Sequence, residues 1–182
     1  MAHSRRDVLN FGLRSAALGA LALSPLTAVA DTAPRTVAFH NLHTGESLKA
    51  LYWDNGAYVP DALSAVNHVL RDFRNGEVHP IDPKLIDLLT TLSGQLDTAT
   101  PFQVISGYRS PATNAMLHAH SDGVAKGSLH MQGLAIDIRL ADVDLDRLHR
   151  AALGLAAGGV GYYPSSDFVH VDVGRVRRWG GV

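Results

Sequence analysis

Ser128-Leu129-His130-Met131-Gln132-Gly133-Leu134-Ala135-Ile136-Asp137-Ile138 is the stretch that decides the fold. Its second half, Leu134 to Ile138, reads as a core strand entered from a glycine turn. Side chains alternate across a strand, so Ile136 and Ile138 share one face and Asp137 takes the other. Asp137 therefore points away from an apolar layer, or is buried with a hydrogen bond, a cation or a metal. Downstream, Val160–Tyr163 and Phe168–Val173 read as two short strands paired across Pro164-Ser165-Ser166-Asp167. In the second of these, Val169 and Val171 face one way, and His170 and Asp172 the other.

The elements upstream are mostly helical. Val37–Leu42 and Ser47–Trp53 flank a Gly45 turn and predict a β-hairpin, with Asp54-Asn55-Gly56 as a further turn. A helix is expected from Pro60-Asp61 to the Asn75-Gly76 stop, with Leu63, Val66, Val69, Leu70 and Phe73 at helical spacing. A second follows Asp82 as N-cap with Pro83 in the first turn, burying Leu85, Leu88, Leu89 and Leu92. Phe102–Ile105 reads as a strand, Pro111–His118 as a short helix, and Asp146–Ala157 as an amphipathic helix ending at Gly158-Gly159. Helices early and strands late predict an α+β fold: an antiparallel sheet with helices packed on one side.

Residues 1–30 read as an address. Ser4-Arg5-Arg6-Asp7-Val8-Leu9 is a twin-arginine pattern, Ser15 to Val29 is apolar, and Ala28-Val29-Ala30 suits a signal peptidase. The alternative, a retained anchor, needs about 20 apolar residues. Residues 31–182 are expected to form one domain, in the periplasm or cell envelope, with no stable membrane span and as a monomer. They carry a net charge of −3 against −1 for the whole chain, which disfavours nucleic acid. Cysteine is absent, so thiol nucleophiles, disulfides and cysteine-ligated metals are excluded, and any metal must use the 10 histidines, carboxylates or water.

His130, Asp137 and His170 together make a two-histidine, one-carboxylate set with an open position, the ligand type of a hydrolytic zinc centre. Ser106, Ser110 and Ser128 lack a Gly-x-Ser-x-Gly elbow, which sets a serine hydrolase aside. His118 and His120 read as loop histidines, Trp179 as docking the tail, and Arg175, Arg177 and Arg178 as a solvated basic face. Tyr108 and Tyr162-Tyr163 fit contact with a glycan or stem peptide, or simple packing.

The pattern Ser128-x-His130-x-x-Gly133-x-Ala135-x-Asp137, then His170-x-Asp172, preceded by Ser106-Gly107-Tyr108-Arg109-Ser110-Pro111 and Thr113-Asn114, resembles the M15 family of zinc D,D-peptidases. The twin-arginine start and Phe168–Arg177 resemble its murein endopeptidase K branch. The likeness runs over roughly residues 36–180. It implies a hedgehog/D,D-peptidase-like fold and one zinc ion held by His130, Asp137 and His170. It also implies that Arg109 stabilises the oxyanion. The family's general base lies three residues before its last histidine ligand, commonly as Glu; here that position is Asp167. Strand alternation makes Asp172, on His170's face, the alternative base, or else a partner orienting a ligand histidine.

The implied activity is hydrolysis of peptidoglycan stem-peptide cross-links containing meso-diaminopimelate, including the 3-3 type. Trimming of D-Ala-D-Ala is the alternative within the family. A non-catalytic zinc or murein-binding module is the alternative outside enzymes.

Overall fold

A computed structural model describes residues 32–120 and 124–180; the twin-arginine segment lies outside the described residues. The strands are β1 (Arg35–Asn41), β2 (Ser47–Asp54), β3 (Ala57–Tyr58), β4 (Phe102–Ser106), β5 (Ala135–Arg139), β6 (Gly159–Tyr163), β7 (Phe168–Asp172) and β8 (Arg177–Gly180). The helices are α1 (Pro60–Val69), α2 (Pro83–Leu96), α3 (Pro111–His120) and α4 (Leu145–Leu155), with 3-10 turns at Leu129–Gln132 and Pro164–Ser166. All eight strands join one sheet in the order β3-β2-β1-β4-β5-β7-β6-β8. No helix among the described residues is long and apolar enough to cross a membrane.

The α+β class holds, but the sheet is mixed rather than antiparallel. β1 pairs with β4 in parallel, and β6 with β8. The first parallel pair follows from the long connection through α1 and α2, which returns the chain to the edge of β1 in the same sense. The second arises because residues 177–180, where Arg177 and Arg178 were expected on a solvated face and Trp179 to dock the tail, form an edge strand.

α1 is shorter than expected. Side-chain and tertiary hydrogen bonds replace its ladder after Val69. Asn41 Nδ2 donates to the Val69 carbonyl, Tyr108 N to the Leu70 carbonyl, and Arg74 N and Ser110 N to the Asp72 carboxylate. The freed segment clasps the two loops that carry the site. Its Leu70 carbonyl lies 2.4 Å from where a Cβ on Gly107 would fall, and its Pro80 carbonyl 2.1 Å from one on Gly133. Gly133 also has φ +67°, so it alone meets both demands at the exit of the His130 turn.

The core lies on one side of the sheet. Phe39, Val104, Ile136, Ile138, Val169 and Val171 meet Leu85, Leu89 and Leu92 of α2 and Leu148 of α4. The pleat turns the alternate residues of β5, β6 and β7 to the other face. There the register aligns three rows: Ala135–Asp172, with Gly159–Arg177 on the next strands; Ser106–Asp137–His170–Gly161–Trp179; and Gln103–Arg139, with Tyr163–Phe168 beyond.

Candidate metal centre

The middle row carries the centre. Asp137 and His170 are direct cross-strand partners. His130 arrives from the 3-10 turn that precedes β5, whose start Ser128 caps by accepting from His130 N. His130 Nε2, Asp137 Oδ1 and His170 Nδ1 form a triangle with edges of 3.1, 3.2 and 2.9 Å. All three residues are buried, and they form a group able to hold a metal ion.

Each histidine has its other nitrogen engaged, which sets the tautomer. His130 Nδ1 donates to the Gly107 carbonyl at 2.7 Å, leaving the Nε2 lone pair for the triangle. His170 Nε2 donates to Asp172 Oδ2 at 3.0 Å, leaving Nδ1. Asp137 Oδ2 accepts from Arg109 Nη2 at 3.1 Å, which leaves Oδ1. Three donors about 2.0–2.1 Å from one zinc ion would stand slightly more than 3 Å apart. The donor set, its spacing and its backing partners therefore fit zinc.

The electrostatics agree at His130 and Asp137. Burial pushes His130 down, toward the neutral ligand form. Burial alone would raise Asp137, but the two histidines outweigh it and hold the carboxyl far below its usual range. Burial likewise opposes a charged His170, but its hydrogen bonds to Asp137 and Asp172 raise it on balance. Burial lowers Arg109, with Asp137 opposing.

Asp172 sits directly behind His170 and is fully buried. It accepts from Gly159 N, Gly174 N and both terminal nitrogens of Arg177. Asp167 is placed differently. Its left-handed backbone (φ 55°) turns the side chain toward Arg139 on the site's face, where the two pair at 2.5 Å. Neither aspartate is among the described residues that line the cleft above the triangle.

That cleft is ≈ 600 Å³ and includes Arg109, Ser128, Tyr163, Phe168, Arg177 and Trp179 in its walls. Trp179 and Arg177 are the members that sequence reasoning placed elsewhere. The signal for them is Gly159-x-Gly161, two glycines on one strand face. A Cβ on Gly161 would lie 2.7 Å from the Trp179 ring, and one on Gly159 2.3 Å from Arg177. The edge strand thus lays both side chains across bare backbone to reach the site. His118 and His120 hydrogen-bond to the Val124 and Met116 carbonyls and do not join the triangle.

Residues 29–179 match the model of the Peptidase M15_2 family, described as peptidoglycan L,D-endopeptidase MepK. The chain belongs to this family. It is 47% identical to peptidoglycan L,D-endopeptidase MepK of Escherichia coli K12 over 178 residues, 97% of each chain. It is equally similar to the MepK of Shigella flexneri. It is 39% identical to the probable peptidoglycan L,D-endopeptidase MepK of Haemophilus influenzae over 180 residues, 98% of this chain and 97% of that one. No solved structure matches it significantly. As an M15_2 member the chain is a peptidase.

Proposed function

We propose that this chain is a zinc-dependent endopeptidase that cuts peptide cross-links in peptidoglycan. The observation that carries the reading is the buried two-histidine, one-carboxylate triangle at the floor of an open cleft. Full-length similarity to relatives named L,D-endopeptidases supports the same reading. An L-to-D peptide bond suits the 3-3 link, which joins the L-centre of one diaminopimelate to the D-centre of another. Its partners are then stem peptides, and it works as a monomer in the cell envelope. The Arg5-Arg6 segment is its proposed export signal, and 31–182 the zinc peptidase domain.

His130, Asp137 and His170 would hold zinc, which would supply Lewis acidity for the scissile carbonyl and for a water nucleophile near neutral pH. The chain's own groups do the rest. Arg109, anchored through Asp137 and Ser106, presents a fixed cation to the oxygen that becomes negative. Asp172 orients His170 from behind. Asp167 is the remaining carboxylate read as a proton carrier, and its pair with Arg139 holds it out of the cleft wall. Asp167→Asn is therefore expected to keep kcat within about threefold of the parent, against the 10²–10⁴-fold that general-base removal costs. Steady-state kinetics on a cross-linked dimer decide, and a loss in the larger range assigns Asp167 as the base.

Digestion of purified peptidoglycan, with and without a chelator, tests the whole reading. Mass analysis is expected to show chelator-sensitive loss of cross-linked dimers, 3-3 dimers first. A protein shown to hold zinc that leaves every muropeptide unchanged is instead a binding module, the reading that the absence of a family-type Glu before His170 would favour.

A further inference from the structure

We infer that Tyr163 is a catalytic residue, its hydroxyl placed to donate a hydrogen bond to the scissile carbonyl oxygen as that oxygen becomes negative; this rests on the peptidase reading above. Tyr163 ends β6 and lies two residues beyond Gly161, the cross-strand partner of His170. It therefore shares the face of the metal triangle. Its ring is held by stacking on Phe168, with centroids 4.5 Å apart.

The direction of its proton follows from its neighbour. Trp179 lies over Gly161, with its ring 5.0 Å from that of His170, and its Nε1 stands 2.8 Å from the Tyr163 oxygen. An indole N–H only donates, so the Tyr163 oxygen must accept there. The phenol's own proton is left to point elsewhere, and no acceptor takes it among the described residues. Tyr163 and Arg109 both line the cleft above the triangle.

Of the wall's other polar groups, Arg177 is committed to Asp172 and Trp179 donates to Tyr163, while the Ser128 oxygen accepts from His130 N. Arg109 and Tyr163 thus make a pair of donors for one oxygen: a fixed cation already anchored to Asp137, and a neutral hydroxyl with an uncommitted proton.

The chemistry balances without consuming that proton. The oxygen of water bonds to the amide carbon, and the carbonyl π pair moves on to its oxygen, where Tyr163 and Arg109 donate to it. The pair returns as the C–N bond breaks. The water oxygen stays with the new carboxylate, both its protons end on the released ammonium, and Tyr163 keeps its own throughout.

The test compares the parent with Tyr163→Phe and Trp179→Phe on a purified cross-linked muropeptide dimer. It measures kcat, KM, zinc per chain, and calorimetric affinity for a phosphinate replacing the scissile amide. Tyr163→Phe is expected to lower kcat about 10²-fold, the loss typical of one oxyanion donor. KM and zinc content should stay unchanged, and phosphinate affinity should fall in step with kcat/KM. Trp179→Phe keeps an aromatic wall but frees the hydroxyl to turn, so a smaller kcat loss of about tenfold is expected. Tyr163→Phe with kcat within threefold of the parent overturns the inference. So does a loss that tracks lost zinc. A zinc-loaded parent that cuts no muropeptide removes the peptidase reading itself and the inference with it.

Discussion

His170→Ala is expected to lower activity by at least about 10³-fold and to abolish stoichiometric zinc binding, while the protein stays folded. His170 Nδ1 is one corner of the triangle, and no other described residue supplies a replacement donor there. The retained fold follows from the partners that its neighbours keep. Asp137 still has Arg109 and His130. Asp172 still accepts from Gly159 N, Gly174 N and Arg177. No charge is left buried alone, so the loss of stability should be only about 1–2 kcal/mol, that of an ordinary buried truncation. Metal content and thermal melting measured together check this, and an active variant would remove His170 from the ligand set.

Asp172→Ala should do the opposite, damaging the fold first and the centre with it. It removes the acceptor for two backbone N–H groups, the Arg177 guanidinium and His170 Nε2 at once, at a position with no solvent exposure. Breaking one side of such a buried charged network costs about 3–5 kcal/mol, and denaturant unfolding of the metal-free protein should show a loss of that order. Zinc affinity should also fall about 10–100-fold, because His170 loses the carboxylate that sets its tautomer and ring plane. Burial works against the Asp172 charge, but its hydrogen bonds to His170 and Arg177 outweigh it and hold the carboxyl well below the usual range. Its contribution to stability is therefore complete above about pH 4 and is lost only as acid drives the pH down through the folded value. A variant that melts like the parent would sink this account of Asp172.

Much of the centre was legible because strand alternation is a local rule. Ile136-Asp137-Ile138 and Val169-His170-Val171-Asp172 each announce one apolar and one ionisable face, and the register then sets Asp137 beside His170. The M15 likeness rested on the same segments. α1 was over-extended because its apolar spacing continues to Phe73, whereas its end is set by Asn41, Tyr108 and Ser110, partners distant in sequence. Phe73 stacks instead on His43, 3.8 Å between centroids. The antiparallel expectation failed at β8 for a similar reason. Arg177-Arg178-Trp179 has no strand signature of its own and becomes a strand only because β6 offers a free edge and two glycines beneath it.

By itself, the sequence determined the α+β class and the strands that bear the ionisable face, since hydrophobic period and residue chemistry act over a few positions, and it singled out the three residues that the structure brings into one triangle. Only the tertiary structure decided which nitrogen of each histidine faces the triangle. It alone placed Asp172 behind His170 and Asp167 on Arg139, and set Tyr163 and Trp179 in the wall. Those outcomes depend on hydrogen bonds between strands far apart in the chain, and on space left by glycines that no local pattern reveals.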